Sequence, residues 1–179
     1  MTTRDTGRDA NASAISCPVH VARLPKNGME VRIEADEAQR AALAAAHGLL
    51  DVDRLTALLH VTGWKRGGVR VTGTVEADIV QECVVTLEPV AARIDEAVAA
   101  TFLPEGSRLA VPARSAEGEI LLDAEGEDAP EPFSGDTVDV GQFVEELFAL
   151  GLDPYPRRPG AALTGAQDDG GKARGPLAA

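Results

Sequence analysis

From Val69 to Ile79 the chain alternates without interruption: Val69, Val71, Gly73, Val75, Ala77 and Ile79 fall on one side, and Arg70, Thr72, Thr74, Glu76 and Asp78 on the other. A period of two is that of a strand with one buried face. Leu55, Ala57, Leu59 and Val61 alternate in the same way with Arg54, Thr56, Leu58 and His60, and Trp64-Lys65-Arg66-Gly67-Gly68 reads as the turn that follows. Residues 54–62 and 68–80 are therefore expected to form a long hairpin. Residues 15–21 alternate too, with Pro18 marking an edge position. Asn27-Gly28 is a tight-turn pair, and Met29, Val31 and Ile33 resume the alternation, which predicts a first hairpin from 15–21 and 29–33. A further strand is expected over about 90–103, with Ile94, Val98, Ala100 and Phe102 on one face and Glu96 interrupting it.

Two stretches change period. Residues 36–47 open with Asp36 and Glu37, at the helix end that favours carboxylates, and close on Gly48. Ala38, Ala41, Ala42, Ala45 and Leu49 share a face whose small side chains would allow close packing on a sheet. Near 141–150, Phe143, Val144, Leu147 and Phe148 share a face; Gly151 reads as a stop, and Pro154 and Pro156 prevent continuation. The fold class is thus α+β: a single domain with an antiparallel sheet of short strands, one central helix and one C-terminal helix.

Composition sets the limits of this domain. Residues 1–14 hold no large apolar residue after Met1, and 157–179 are dominated by Gly, Ala and Pro, so both are expected as disordered tails around a body of 15–156. With 179 residues the chain can bury a core without disulfides, and with 3% aromatics that core must be built from Val, Leu, Ile and Ala. Lys and Arg number 17 against 29 Asp and Glu, a net −12, and the body alone carries −14. Such a surface repels phosphate backbones, and platforms for stacking bases are scarce. The opening MTTRDTGRDANASA has no apolar run and no later stretch approaches a membrane span, so a cytoplasmic protein without membrane contact is expected.

Candidate chemistry is sparse. Cys17 and Cys83 are too far apart to pair as metal ligands by spacing, and they suit a reducing cytosol. Cys83 with a histidine as base would be the arrangement of a Cys-dependent enzyme, but no glycine-rich elbow or charge cluster surrounds it, and a half-buried packing cysteine is the simpler reading. His20, His47 and His60 read as surface residues. Gly63, Gly67 and Gly68 precede a strand rather than open a helix, unlike a phosphate loop. Residues 117–136 hold eight acids and no Lys or Arg, with offsets unlike a calcium loop. Within that acidic loop Glu125, Glu127, Asp128 and Glu131 are candidates for steering a basic partner, with Ile120, Leu121, Leu122 and Phe133 as apolar anchors or, alternatively, as a strand of the sheet.

The segment Gln81-Glu82-Cys83-Val84-Val85-Thr86-Leu87-Glu88-Pro89-Val90 reads as a connection between strands, with Thr86 and Pro89 making the turn. Taken with Val71–Asp78 before it and Asp136–Val140, Glu145-Glu146-Leu147 and Leu152-Asp153-Pro154-Tyr155-Pro156-Arg157 after it, the chain resembles the YceD family of large ribosomal RNA subunit accumulation proteins over most of 15–160. The resemblance implies a non-catalytic factor supporting large-subunit ribosomal RNA accumulation or ribosome assembly, with no cofactor. It also singles out Cys83, Thr86, Leu87, Glu88 and Pro89 as motif positions of unassigned role. Many members carry Cys-x-x-Cys-Leu where this chain has Cys83-Val84-Val85-Thr86-Leu87, and a single thiol does not build a tetrahedral thiolate site, so neither a metal nor catalysis is expected here. Ribosomal RNA and a body of −14 are reconciled if the partner is a ribosomal protein or another basic assembly factor and RNA is reached indirectly. The alternative is direct RNA binding through a local basic patch on the 54–70 hairpin, made of Arg54, Lys65, Arg66 and Arg70.

Overall fold

The computed structural model describes residues 13–107 and 129–160. Its centre is the expected hairpin, formed by β3 (Asp51–Trp64) and β4 (Gly68–Glu82), antiparallel through Trp64 and Gly68. β2 (Met29–Glu34) pairs with β3 on one side, and β5 (Pro89–Pro104) pairs with β4 on the other, both antiparallel. Burial follows the period of two: Val69, Val71, Val75, Ala77 and Ile79 are buried, as are Leu55, Ala57, Leu59 and Val61 opposite them. The intervening residues form an outer face that neither helix covers, where Leu58 is 52% exposed and Arg54, Glu76, Asp78 and Arg93 make a cross-strand ion cluster.

Both helices lie on the inner face. α1 (Glu37–His47) begins with a reciprocal cap in which Asp36 accepts from the Gln39 amide and Gln39 accepts from the Asp36 amide, and ends at left-handed Gly48. The face it buries is not the alanine face. Ala38, Ala41, Ala42 and Ala45 are exposed, and the helix seats on Leu43, which is fully buried, with Ala44 beside it. One Leu removes far more apolar area from water than any of the alanines, and that difference sets the rotation of the helix.

α2 (Val140–Leu150) buries Val140, Phe143, Val144 and Phe148, with Leu147 half-buried. Its N-cap, Asp139, accepts from the amides of Gly141 and Gln142, from the amide of Cys17 at 2.8 Å and from the Ser16 hydroxyl at 2.6 Å. Burial pushes the Asp139 carboxyl up, and these donors more than offset it, holding it below the usual carboxylate range. The helix start therefore also fastens the N-terminal segment. That contact requires glycine at 141, where a Cβ would stand 2.6 Å from the Cys17 amide nitrogen.

The first hairpin predicted from sequence does not form. β1 (Pro18–His20) pairs with β7 (Thr137–Asp139) in a separate two-stranded sheet, although the turn at Asn27-Gly28 is present. A 3-10 turn at Val21–Arg23 ends β1 after three residues, and β2 finds six partners on β3 instead. The five-stranded sheet is also not purely antiparallel, because β6 (Glu131–Phe133) pairs parallel with the last three residues of β5. This end of the acidic stretch is thus an edge strand, with Phe133 packed against the core. Glu96, which interrupts the inner-face pattern of β5, lies beside Gly151 at the end of α2, where no side chain competes for the space.

Neither tail expectation applies to every residue assigned to it. Ser13 and Ala14 bond to Glu145, and Arg158 bonds to Cys83 and Glu88; residues 1–12 and 161–179 lie outside the described residues. Among the described residues no helix is long and apolar enough to cross a membrane.

Candidate functional site

β4 delivers Cys83 to the end of the sheet, and the chain reverses within the next five residues. The Leu87 amide donates to the Cys83 carbonyl, and the Cys83 amide donates to the Glu88 carbonyl, both at 2.9 Å. Leu87 takes a left-handed backbone, with φ 59°. Pro89 is not part of this turn but opens β5 opposite Glu82, a strand-start position that tolerates a residue without an N–H.

A second piece of chain, 153–158, lies across the turn. The Val84 amide donates to the Pro156 carbonyl at 2.9 Å, the buried Gln81 side chain donates to the Asp153 carbonyl at 2.9 Å, and the Arg158 amide donates to the Cys83 sulfur at 3.4 Å. The Arg158 guanidinium closes the clasp on the Glu88 carboxylate at 2.5 Å. Cys83 is therefore fully buried rather than half-buried, and its sulfur accepts hydrogen bonds from the turn and from the closing segment. The Thr86 hydroxyl and then the amides of Arg158, Thr86 and Val85 lower its pKa to about 6, against the effect of burial. The arrangement favours a thiolate and denies it access to solvent. Thr86 takes up, as a hydroxyl donor, the position at which a second thiol stands in Cys-x-x-Cys.

Of the five motif positions, Cys83 and Glu88 meet Arg158 and Thr86 donates to the Cys83 sulfur, whereas Leu87 points outward at 67% exposure and Pro89 belongs to the strand. Neither Arg158 nor Pro156 stands out individually in the sequence. Pro156 belongs to the Leu152–Arg157 string, which the structure brings onto the turn from the far end of the domain, and Arg158 lies one residue beyond it.

The four cations of the basic-patch reading do not form one cluster, because Arg54 lies far along the sheet from the other three. Arg54 donates to Asp78 at 2.9 Å and reaches Glu76 at 3.4 Å, and Arg93 also pairs with Glu76, at 3.0 Å. It sits ten residues from Trp64 along β3, about 30 Å at the usual strand rise. At the tip, Lys65 and Arg70 lie over the Trp64 ring, 5.6 and 5.8 Å from its centroid, and Arg66 occupies a left-handed turn position.

Among the acidic candidates, Glu125, Glu127 and Asp128 lie outside the described residues. Glu131 stands at the start of β6, where burial and the neighbouring Glu146 push its carboxyl above the usual range. His47 is not a surface residue: its side chain is 20% exposed, edge-on to Phe148 and 3.3 Å from Glu145.

A family model described as Large ribosomal RNA subunit accumulation protein YceD matches residues 71–174, a span that includes the Cys83 turn and the segment that closes over it. No curated protein and no solved structure matches the chain.

Proposed function

The chain belongs to this YceD family of large ribosomal RNA subunit accumulation proteins, and from that membership we propose that it supports ribosomal RNA accumulation without catalysing a reaction, by engaging a basic protein partner. The observation that carries this reading is charge. A body of −14 meets cationic ribosomal proteins favourably and RNA unfavourably, and the pairing of Arg54 with Asp78 and Glu76 removes one cation from the proposed RNA-binding patch. The buried Cys83 sulfur adds support, because a nucleophile must reach its substrate. In this reading Glu125, Glu127, Asp128 and Glu131 accelerate the encounter, and the contact itself follows.

The test compares binding of the full chain to purified large-subunit ribosomal RNA and to purified basic large-subunit proteins across ionic strength. Binding to a protein that survives ribonuclease treatment is the expected result, with a slower low-salt association when the four acids become Gln or Asn. Binding to RNA alone, weakening with salt, overturns the proposal.

Direct RNA contact is favoured by one specific observation, the placement of the Lys65 and Arg70 cations over the Trp64 ring at the hairpin tip. An aromatic ring flanked by cations is a minimal platform for an unpaired base. In that case Trp64→Ala should abolish RNA binding while leaving protein partners unaffected.

A further inference from the structure

β5 is 16 residues long, yet β6 covers only Phe102, Leu103 and Pro104 of its outer edge. From Pro89 to Thr101 the other edge is paired with β4, and among the described residues no strand pairs with the outer edge, so alternate residues there carry N–H and C=O groups without a ladder partner. α2 runs back along this edge. Phe143 meets Phe102 ring to ring at 5.2 Å near the start of the helix, and Gly151 rests on Ile94 at its end. Between helix and edge lies a cavity of about 350 Å³, with Ala97, Ala99 and Thr101 on one wall and Phe143, Leu147 and Leu150 on the other. The alanines keep the edge accessible, and Leu150 is 80% exposed on the rim.

We propose that this groove takes an extended, Lys- or Arg-bearing segment of a partner protein, which adds to β5 as a further strand. The open edge supplies main-chain hydrogen bonds, and a strand's alternation places one row of side chains against Phe143, Leu147 and Leu150. Charge selects the occupant. Glu131 and Glu146 both line the groove, and neither has an ion-pair partner among the described residues. Their mutual repulsion is relieved by a cation placed between them. The chain's own residues 108–128 lie outside the described residues, so the rival occupants, that segment or a second copy of this chain, are read from protection of the edge before any peptide is added, and either overturns the assignment. The inference rests on the reading that the partner is a basic protein, and it assigns the place where that partner is held.

The probe is an eight-residue peptide alternating Lys and Val, added to the full chain and followed by hydrogen exchange. Protection of residues 95–101 is expected, with binding weakened about tenfold in the Glu131→Gln, Glu146→Gln double variant. Leu150→Ser, a surface change, should also weaken binding, and a Glu-Val peptide should not bind. Protection elsewhere, unchanged affinity in the variants, or an edge already protected by a second copy of this chain overturns the assignment. Purified basic large-subunit proteins separate the two ideas. Equal binding of such a protein to wild type and to the double variant sinks the groove and spares the partner reading, whereas a peptide-protected edge with no such protein bound does the reverse.

Discussion

The backbone amide of Arg158 donates to the sulfur of Cys83 across 75 positions of sequence, so one hydrogen bond ties the segment following α2 to the turn between β4 and β5. The sulfur accepts from the Thr86 hydroxyl and two turn amides as well, and the pKa falls from 9.0 to about 6. A thiol whose pKa is lowered by folding stabilises the native state fully above its unfolded value, and this contribution is lost as pH falls through the folded value. The stability of the wild type relative to Cys83→Ser should therefore decline from pH 9 to pH 6 and level off below. Urea midpoints across that range provide the check, and a flat difference means a neutral thiol. Ribosomal RNA accumulation in cells should survive Cys83→Ser.

Glu145 joins three parts of the molecule. One carboxylate oxygen accepts from the Ser13 hydroxyl and from the Ala14 amide at 2.7 Å, and the other lies 3.3 Å from His47. With its side chain 15% exposed, Glu145→Ala leaves donors on α1 and on the N-terminal segment without a partner, a loss of about 1–3 kcal/mol. Combined with Ser13→Ala, the loss should be less than additive. A denaturation midpoint unmoved by Glu145→Ala would show that the clasp does not contribute.

Adjacent positions of β4 should respond in opposite ways. Val75 is completely buried, and Thr74 faces solvent on the uncovered side of the sheet. Val75→Asp places an unpaired carboxylate in an apolar core and should cost several kcal/mol, about enough to unfold a domain of ordinary stability. Thr74→Asp should shift the thermal midpoint by no more than a few degrees. Similar shifts from the two substitutions would mean that the strand does not present these faces.

What the sequence made legible was local. The β3–β4 hairpin is visible because Val69 to Ile79 repeats one rule, and α1 because Asp36, Gln39 and Gly48 cap it within its own span. What it concealed depends on partners distant in the chain. Nothing near Pro18 says that its strand belongs beside Asp139 rather than beside Met29, and the alanines of α1 obscured the single Leu43 that fixes its rotation. The candidate site shows the same division. Cys83 and Thr86 sit in one short motif, but the clasp that buries the sulfur comes from Pro156 and Arg158, and the pairing of Arg54 with Asp78 and Glu76 is a relation between strands.

The pairing of β1 with β7 also fixes an order of assembly. Cys17 and Asp139, which clasp the start of α2, stand 122 positions apart, so the segment around Ile15 has no place to dock until that helix has been synthesised. The long hairpin needs only neighbouring residues and can close first, whereas the clasp carries the loop-closure entropy of nearly the whole described chain. Completion of the fold then waits for α2, and a delay in forming that helix would prolong the interval in which Ile15 and Val19 are exposed to other chains.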